Sequence, residues 1–426
     1  MPRSHVLLTT DCVGGVWDFA TLLAGGLVGR GWRVSLLAIG TPSAAQRAQA
    51  AAVGAALEVA PLKLEWMQDA DHDVLATRRH VAALVERLRP DVVHANQFAA
   101  ACLDGPTGRG VPVVLTLHSD VLSWRRWTLG APDEIPAVWQ AYVSLVREAL
   151  ARADSVVAVS HFLAEQTRHL YGVERPIRVI HNAWPAPPPL TRAAARPLSA
   201  GARRFAGRRF GGTDPAGRDA TVPSGGGQLG PPRPLGERPR GSAGEGRGAD
   251  HEASEGPVTL LAGRVWDAAK NVSLAAEAAR GWLPGAVYLA GQTANPDSGG
   301  HAQVPPPLEA LGYLEREALD DWLARADVYL SPARYDPFGL LPLQAALHGC
   351  ALLLSDIPSY RELWDGAARF FRPDDADDLR RQWQRLLDQP GEAAQRARQR
   401  ARICYTPARM AAAYAALYQH QPALVA

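Results

Sequence analysis

Lysine is nearly missing from this chain: Lys63 and Lys270 are the only two, although Lys and Arg together number 45. Cysteine is scarce as well. Cys12, Cys102, Cys350 and Cys404 are scattered without C-x-x-C spacing, which argues against a zinc site and a disulfide framework and makes a reducing cytosol the simplest home. Neither sign of charge is in excess, since 45 Lys+Arg against 43 Asp+Glu leave a formal +2. Nucleic acid is therefore not an expected partner. No continuous apolar run approaches the ~18 residues of a membrane span. The opening MPRSHVLLTTDCVGG holds neither a long hydrophobic region nor a small-residue cleavage site, so a soluble, cytoplasmic protein is the expectation. The first glycine turn, DCVGGVWDF, meets neither G-x-G-x-x-G nor Walker spacing, which disfavours a nicotinamide dehydrogenase and a P-loop enzyme.

What is present is a chain of 426 residues, 47% apolar, long enough for two domains with real cores. One unit recurs: a short apolar or β-branched run, a small-residue turn, then a helical pattern. HVLLTT, WRVSLLAIG, DVVHAN, VPVVLTLH, DSVVAVS and IRVIHN are such runs in the first part, and VTLLA, AVYLAG, DVYLSP and ALLLS in the second. Most are apolar enough to be buried on both faces, as strands of a helix-covered parallel sheet are. Residues 186–256 differ sharply, being rich in Pro, Gly and Arg with few large apolar residues. They read as a disordered insertion or linker. The fold class expected is α/β with two doubly wound, Rossmann-like domains, residues 1–185 and 257–404, facing across a cleft. Ligands in such sheets sit at the carboxyl ends of the strands.

Several residues at those ends can carry chemistry. AGRVWDAAKN places Arg264 and Lys270 six positions apart after a strand, and in so arginine-rich a chain a lysine there hints that a compact ammonium is wanted. Such a pair neutralises a diphosphate, although alone it also reads as surface charge at a helix start. Gly14 and Gly15 allow close backbone approach at a helix beginning, a geometry that equally serves a tight turn. His118 closes VVLTLH and can reach a sugar hydroxyl or be structural. In RYDPFGLLPLQAALHG, Asp336 precedes a helix whose first amides, at Gly339 and Leu340, face an anion favourably by about 0.3–1 kcal/mol. Gln344, eight residues after Asp336, falls on a stripe beside the apolar face and need not be buried.

Taken together, the order of motifs resembles the GT-B glycosyltransferases of family 4, also called glycosyl transferase group 1, which are retaining and nucleotide-sugar-dependent. The resemblance is carried by GGVWDFATLLAGGLVGRGWRV, DVVHAN, SVVAVSHFL, LLAGRVWDAAKN, the long stretch from LGYLEREAL to SYREL, and CYTPARMAAAYAALY. It spans nearly all of residues 1–185 and 257–420. It implies that Arg264 and Lys270 hold the donor diphosphate together with backbone donors at Gly339 and Leu340, in the Phe338 turn. It further implies that Gly15 approaches the donor from the acceptor-side domain, that His118 contacts the donor sugar, and that Gly312 and Tyr313 sit near the base. Residues 405–426 are expected to cross back onto the first domain.

The family's acid before Pro-Phe-Gly touches the sugar and a second acid binds the ribose. Here Asp336 and Gln344 stand where glutamates are usual, and the neutral hydrogen bond of Gln344 costs roughly 1 kcal/mol against a charged one. The resemblance thus implies a nucleoside diphosphate sugar as donor, no cofactor and no metal, and a glycan, lipid-linked or small-molecule acceptor. The tryptophans and arginines of LSWRRWTLGAPDE leave open a peripheral contact with the inner face of a membrane. Two alternatives remain beside it: a non-catalytic nucleotide- or glycan-binding relative, and a GT-B sugar-nucleotide epimerase.

Overall fold

The computed structural model describes residues 4–103, 110–130, 135–188, 256–282, 285–295 and 299–420. Almost all of the Pro/Gly/Arg-rich segment lies outside them. The first part of the chain alternates β1 (His5–Asp11), α1 (Gly15–Val28), β2 (Arg33–Ile39), α2 (Ala44–Ala52), β3 (Ala56–Ala60), α3 (Asp71–Leu88), β4 (Val92–Ala95) and α4 (Phe98–Ala101). It continues with β5 (Val113–Leu117), α5 (Val121–Leu129), α6 (Gln140–Arg152), β6 (Ser155–Ala158), α7 (His161–Tyr171) and β7 (Ile177–Val179). These strands form one sheet in the order β3-β2-β1-β4-β5-β6-β7, every pairing parallel.

The second part repeats the plan. It comprises β8 (Val258–Ala262), α8 (Val272–Ala279), β9 (Ala286–Ala290), β10 (Glu309–Gly312), α9 (Arg316–Arg325), β11 (Val328–Ser331), α10 (Leu340–His348) and β12 (Ala351–Ser355). α11 (Pro358–Trp364), β13 (Arg369–Phe371), α12 (Ala376–Asp388), α13 (Pro390–Cys404) and α14 (Pro407–Gln419) complete it. Its parallel sheet runs β10-β9-β8-β11-β12-β13. Both sheets therefore reverse strand order at one place, between β1 and β4 and between β8 and β11. A doubly wound sheet opens its ligand crevice there, because neighbouring connections leave in opposite directions.

The central strands are apolar because helices cover both their faces: β12 is buried at every position, as is β5. The strands β3, β10 and β13 had no clear apolar run in the sequence. They lie at sheet edges and are largely exposed or half-buried, so alternation and length are both too weak to announce them.

The last helix, α14, starts with Thr406 capping the amide of Arg409 and Pro407 in its first turn. It crosses onto the first sheet, where Met410, Ala411, Tyr414 and Tyr418 join the core built by Trp17, Phe19 and Leu23 of α1. A buried polar knot ties it down: His94 of β4 meets Tyr418 Oη through Nδ1 at 2.5 Å and Thr116 Oγ1 through Nε2 at 2.7 Å. Tyr414 Oη reaches the same threonine at 3.1 Å. The crossing also depends on Gly26, where a Cβ would stand 2.5 Å from that of Ala411. Gly26→Val should force α14 away and destabilise the protein by about 1–3 kcal/mol. The expected readouts are a lower urea midpoint and faster proteolysis near residue 407; an unchanged midpoint would refute this account of the crossing.

Candidate active site

The loops leaving β1, β4, β8 and β11 meet at the two switch points, and they carry most of the residues singled out from the sequence. After β8 the chain turns at Gly263 and presents Arg264. Asp267 then caps a short 3-10 turn, Ala268–Lys270, by accepting the amide of Ala269 at 3.0 Å. Its other oxygen takes Arg264 Nη2 at 2.7 Å. The side chain of Asp267 is only 4% exposed. Burial opposes its ionisation, but Arg264, Lys270, the Trp124 indole and the Ala269 amide outweigh burial and hold its carboxyl below the ordinary range.

Lys270 closes the turn and lays its stem over Gly263. Its Nζ lies 3.0 Å from Asp336 Oδ2, and Tyr360 Oη donates to the same oxygen at 3.1 Å. Ser359 Oγ donates to the Asp336 carbonyl at 2.6 Å. The cation is thus fixed beside the loop that leads through Gly339 into α10. The first amides of a helix have no intrahelical acceptor, and Pro342 contributes no N–H, so Gly339, Leu340 and Leu341 carry the donors at this positive end.

Gln344 departs from expectation. Instead of lying on an exposed stripe it is 5% exposed, on a helix that packs against α9, α13 and β12. It stands one turn beyond Leu340 on the same side of the helix. A neutral amide is a cheaper group to bury there than a carboxylate. Phe338 also turns inward: it is 4% exposed, and its ring packs near His181 and edge-on to Tyr405.

The first lobe faces this arrangement with Gly15, whose missing Cβ would stand 2.8 Å from Leu340 Cδ1. A side chain there would oblige the end of the Leu340 side chain to move. At the end of β1, Asp11 accepts the Val13 amide at 3.0 Å. Burial pushes its carboxyl up, against the pull of the Val13 amide and of Arg264 across the cleft. Asp18, in the first turn of α1, is pushed up to about 6 by burial, with Arg316 opposing and Asp320 adding to the effect. At the rim, Gly312 ends β10 and its carbonyl accepts the Gly291 amide at 2.8 Å. Tyr313 beside it is 61% exposed.

His118, the first residue past β5, has a defined tautomer. Asn96 Nδ2 donates to the Thr9 carbonyl at 2.6 Å, which leaves its Oδ1 to accept from His118 Nε2 at 2.8 Å. The proton therefore sits on Nε2, and Nδ1 is an acceptor. Phe19 stands edge-on at 4.6 Å, and burial lowers the imidazole to about 3.

Three interlobe contacts were not legible in the sequence. Trp124 Nε1 donates to Asp267 Oδ1 at 3.0 Å. Ser119 Oγ and Tyr335 Oη are 3.2 Å apart. Glu362 of α11 takes the amides of His161 and Phe162 at the start of α7, at 2.8 and 2.9 Å, and His181 Nε2 at 3.0 Å. Only Asp267 left a trace, as an acid between two cations in one short motif.

His94 and His118 remain neutral down to about pH 3, whereas the unfolded chain takes up their protons near 6.5. The unfolded state binds more protons in that window, so their contribution makes stability fall as pH drops from 6.5 toward 3. His118→Asn should remove about 1.4 kcal/mol per pH unit from that slope. Urea midpoints of both proteins between pH 4 and 6 check this, and identical slopes would refute it.

Two family models match the chain in succession, Glycosyltransferase Family 4 over residues 13–184 and Glycosyl transferases group 1 over residues 256–389. No curated protein matches the sequence. Among solved structures, sucrose-phosphate synthase from Thermosynechococcus elongatus superposes with a TM-score of 0.66 at 15% identity, covering 98% of each chain. Anabaena Alr3699/HepE in complex with UDP gives 0.65 at 14% identity, covering 98% of this chain and 100% of that one. A glycosyltransferase from Rickettsia africae ESF-5 gives 0.64 at 12% identity, covering 98% of each. At such identities these likenesses speak for the fold, while the two models divide between them the lobe bearing Gly15 and His118 and the lobe bearing Arg264 and Lys270. The chain belongs to the family 4, group 1 glycosyltransferases and has their GT-B fold.

Proposed function

We propose that this chain moves a sugar from a nucleoside diphosphate sugar to an acceptor hydroxyl with retention at the anomeric carbon, in glycan or glycoconjugate biosynthesis. The observation that carries the reading is that the one turn after β8 presents both cations, Arg264 paired with Asp267 and Lys270 paired with Asp336 in the loop that opens α10. Support for the donor class comes from Anabaena Alr3699/HepE, a protein of the same fold solved with UDP and with UDP-glucose.

In this reading the diphosphate lies between the two cations and the amides of Gly339 and Leu340. Charge developing on the departing phosphate is stabilised by groups already in place, which lowers the barrier without reorganisation at the moment of reaction. The bond from the anomeric carbon to the phosphate oxygen breaks, and the acceptor oxygen bonds to that carbon on the same face. The acceptor proton passes to the leaving phosphate oxygen, so no side-chain base is needed. His118 accepts a sugar hydroxyl at Nδ1, Asp336 meets the sugar, Tyr313 and Gly312 border the base, and Gln344 offers its carbonyl to the ribose. Charge neutralisation by Arg264 and Lys270 makes a metal unnecessary, and full activity in excess EDTA is the expected result.

Melting shifts with UDP-, GDP- and ADP-sugars identify the donor, since binding to the native state alone raises the midpoint. With that donor, Lys270→Ala should lower transfer by about 10²–10³; near-normal turnover removes Lys270 from the mechanism. Gln344→Glu should tighten donor binding several-fold, in keeping with the roughly 1 kcal/mol between charged and neutral hydrogen bonds. A severe loss would mean that the pocket is built around the amide. Nucleotide binding without transfer to any acceptor would favour a non-catalytic relative, and epimerised donor without acceptor an epimerase.

A further inference from the structure

Asp267 holds Arg264, and something must hold Asp267. Half of that task falls to its own turn through the Ala269 amide. The other half comes from the opposite lobe, where the Trp124 indole N–H reaches the same oxygen at 3.0 Å.

Trp124 is itself firmly placed. Asp120 caps α5 by accepting the Ser123 amide at 2.8 Å, and Tyr171 Oη donates to that carboxylate at 2.9 Å. The indole packs with Trp127 against a small cluster of Phe162, Ala269 and Tyr335 drawn from both lobes. Tyr335 immediately precedes Asp336, the partner of Lys270, and it is met by Ser119 two residues past the end of β5. One short segment of the first lobe, Ser119 to Trp124, therefore touches Asp267, which holds Arg264, and Tyr335, the chain neighbour of the acid that holds Lys270.

From this juxtaposition we infer that Trp124 is a positioning residue for the diphosphate grip: through Asp267 it sets where Arg264 stands, and so couples the seating of α5 to donor binding. The inference rests on the function proposed above. A carboxylate anchored on one side only can swing with Arg264, whereas one held from two sides presents the guanidinium in a single place. Because α5 belongs to the lobe that faces the acceptor, the donor grip is completed only when the two lobes are in register.

The test is calorimetric titration of the full chain with UDP, GDP and ADP and with the corresponding monophosphates, for the wild type and for Trp124→Phe, which keeps the ring packing and loses the donor. Diphosphate affinity should fall about tenfold, the worth of one hydrogen bond to a charged group, while monophosphate affinity changes less than about twofold. Asp267→Asn gives a second reading: it should show the same selective loss, and adding Trp124→Phe to it should cost little more, since both act through one support. Equal loss for mono- and diphosphates, unchanged diphosphate affinity, or additive effects in the double variant would overturn the inference. If the wild type binds no nucleoside diphosphate, the proposed function falls with it; if it does and Trp124→Phe binds equally well, only the role of Trp124 falls.

Discussion

A buried carboxylate is costly unless every one of its oxygens is used, and Asp267 is a buried carboxylate with every strong neighbour used. Arg264, the Ala269 amide and the Trp124 indole converge on it. The requirement to satisfy that charge fixes the 3-10 turn, and the turn fixes Lys270 at its end. Lys270 in turn meets Asp336, so the loops after β8 and β11 are bound into one unit. A grip for an anion is assembled here by first pairing its cations with acids, which keeps like charges from repelling each other before a ligand arrives.

The same logic joins the lobes. At the start of α7 the Ser160 side chain caps the Leu163 amide, and Glu362 of the opposite lobe accepts the amides of His161 and Phe162 that the cap leaves over. Burial opposes ionisation of Glu362, yet His181 and the amides of His161 and Phe162 hold its carboxyl below its ordinary range. At the far end, α14 returns to the first sheet and is locked by His94, Thr116, Tyr414 and Tyr418. Polar contacts from several elements thus join the lobes, and Gly15 lies against Leu340 between them. Among the described residues no helix is long and apolar enough to cross a membrane.

Much of the architecture could be read in advance because central parallel strands are apolar on both faces, and such runs are hard to mistake. The edge strands β3, β10 and β13 escaped notice because one side of each meets solvent and the pattern dissolves. Helix α10 misled in a different way. Its stripe of Leu341, Gln344, Ala345 and His348 reads on an isolated helix as a margin that need not be buried, but in the fold Gln344 and Ala345 are buried while Leu341 and His348 stay half-buried. The inward turn of Phe338 has the same origin, since its partners His181 and Tyr405 are remote in the chain.

By itself the sequence determined the repeating unit, the two doubly wound halves and the family resemblance, because these are written in short-range alternation and in motifs a few residues long. It also determined that an arginine and a lysine stand at one strand end. Only the tertiary structure decided which acids hold those cations, which tautomer His118 adopts, and that Trp124 and Glu362 reach across to the opposite lobe. Apart from the local Arg264–Asp267 pair, those outcomes depend on hydrogen bonds between residues 22 to 201 positions apart, whose partners are chosen by packing and burial, and no local pattern encodes that choice.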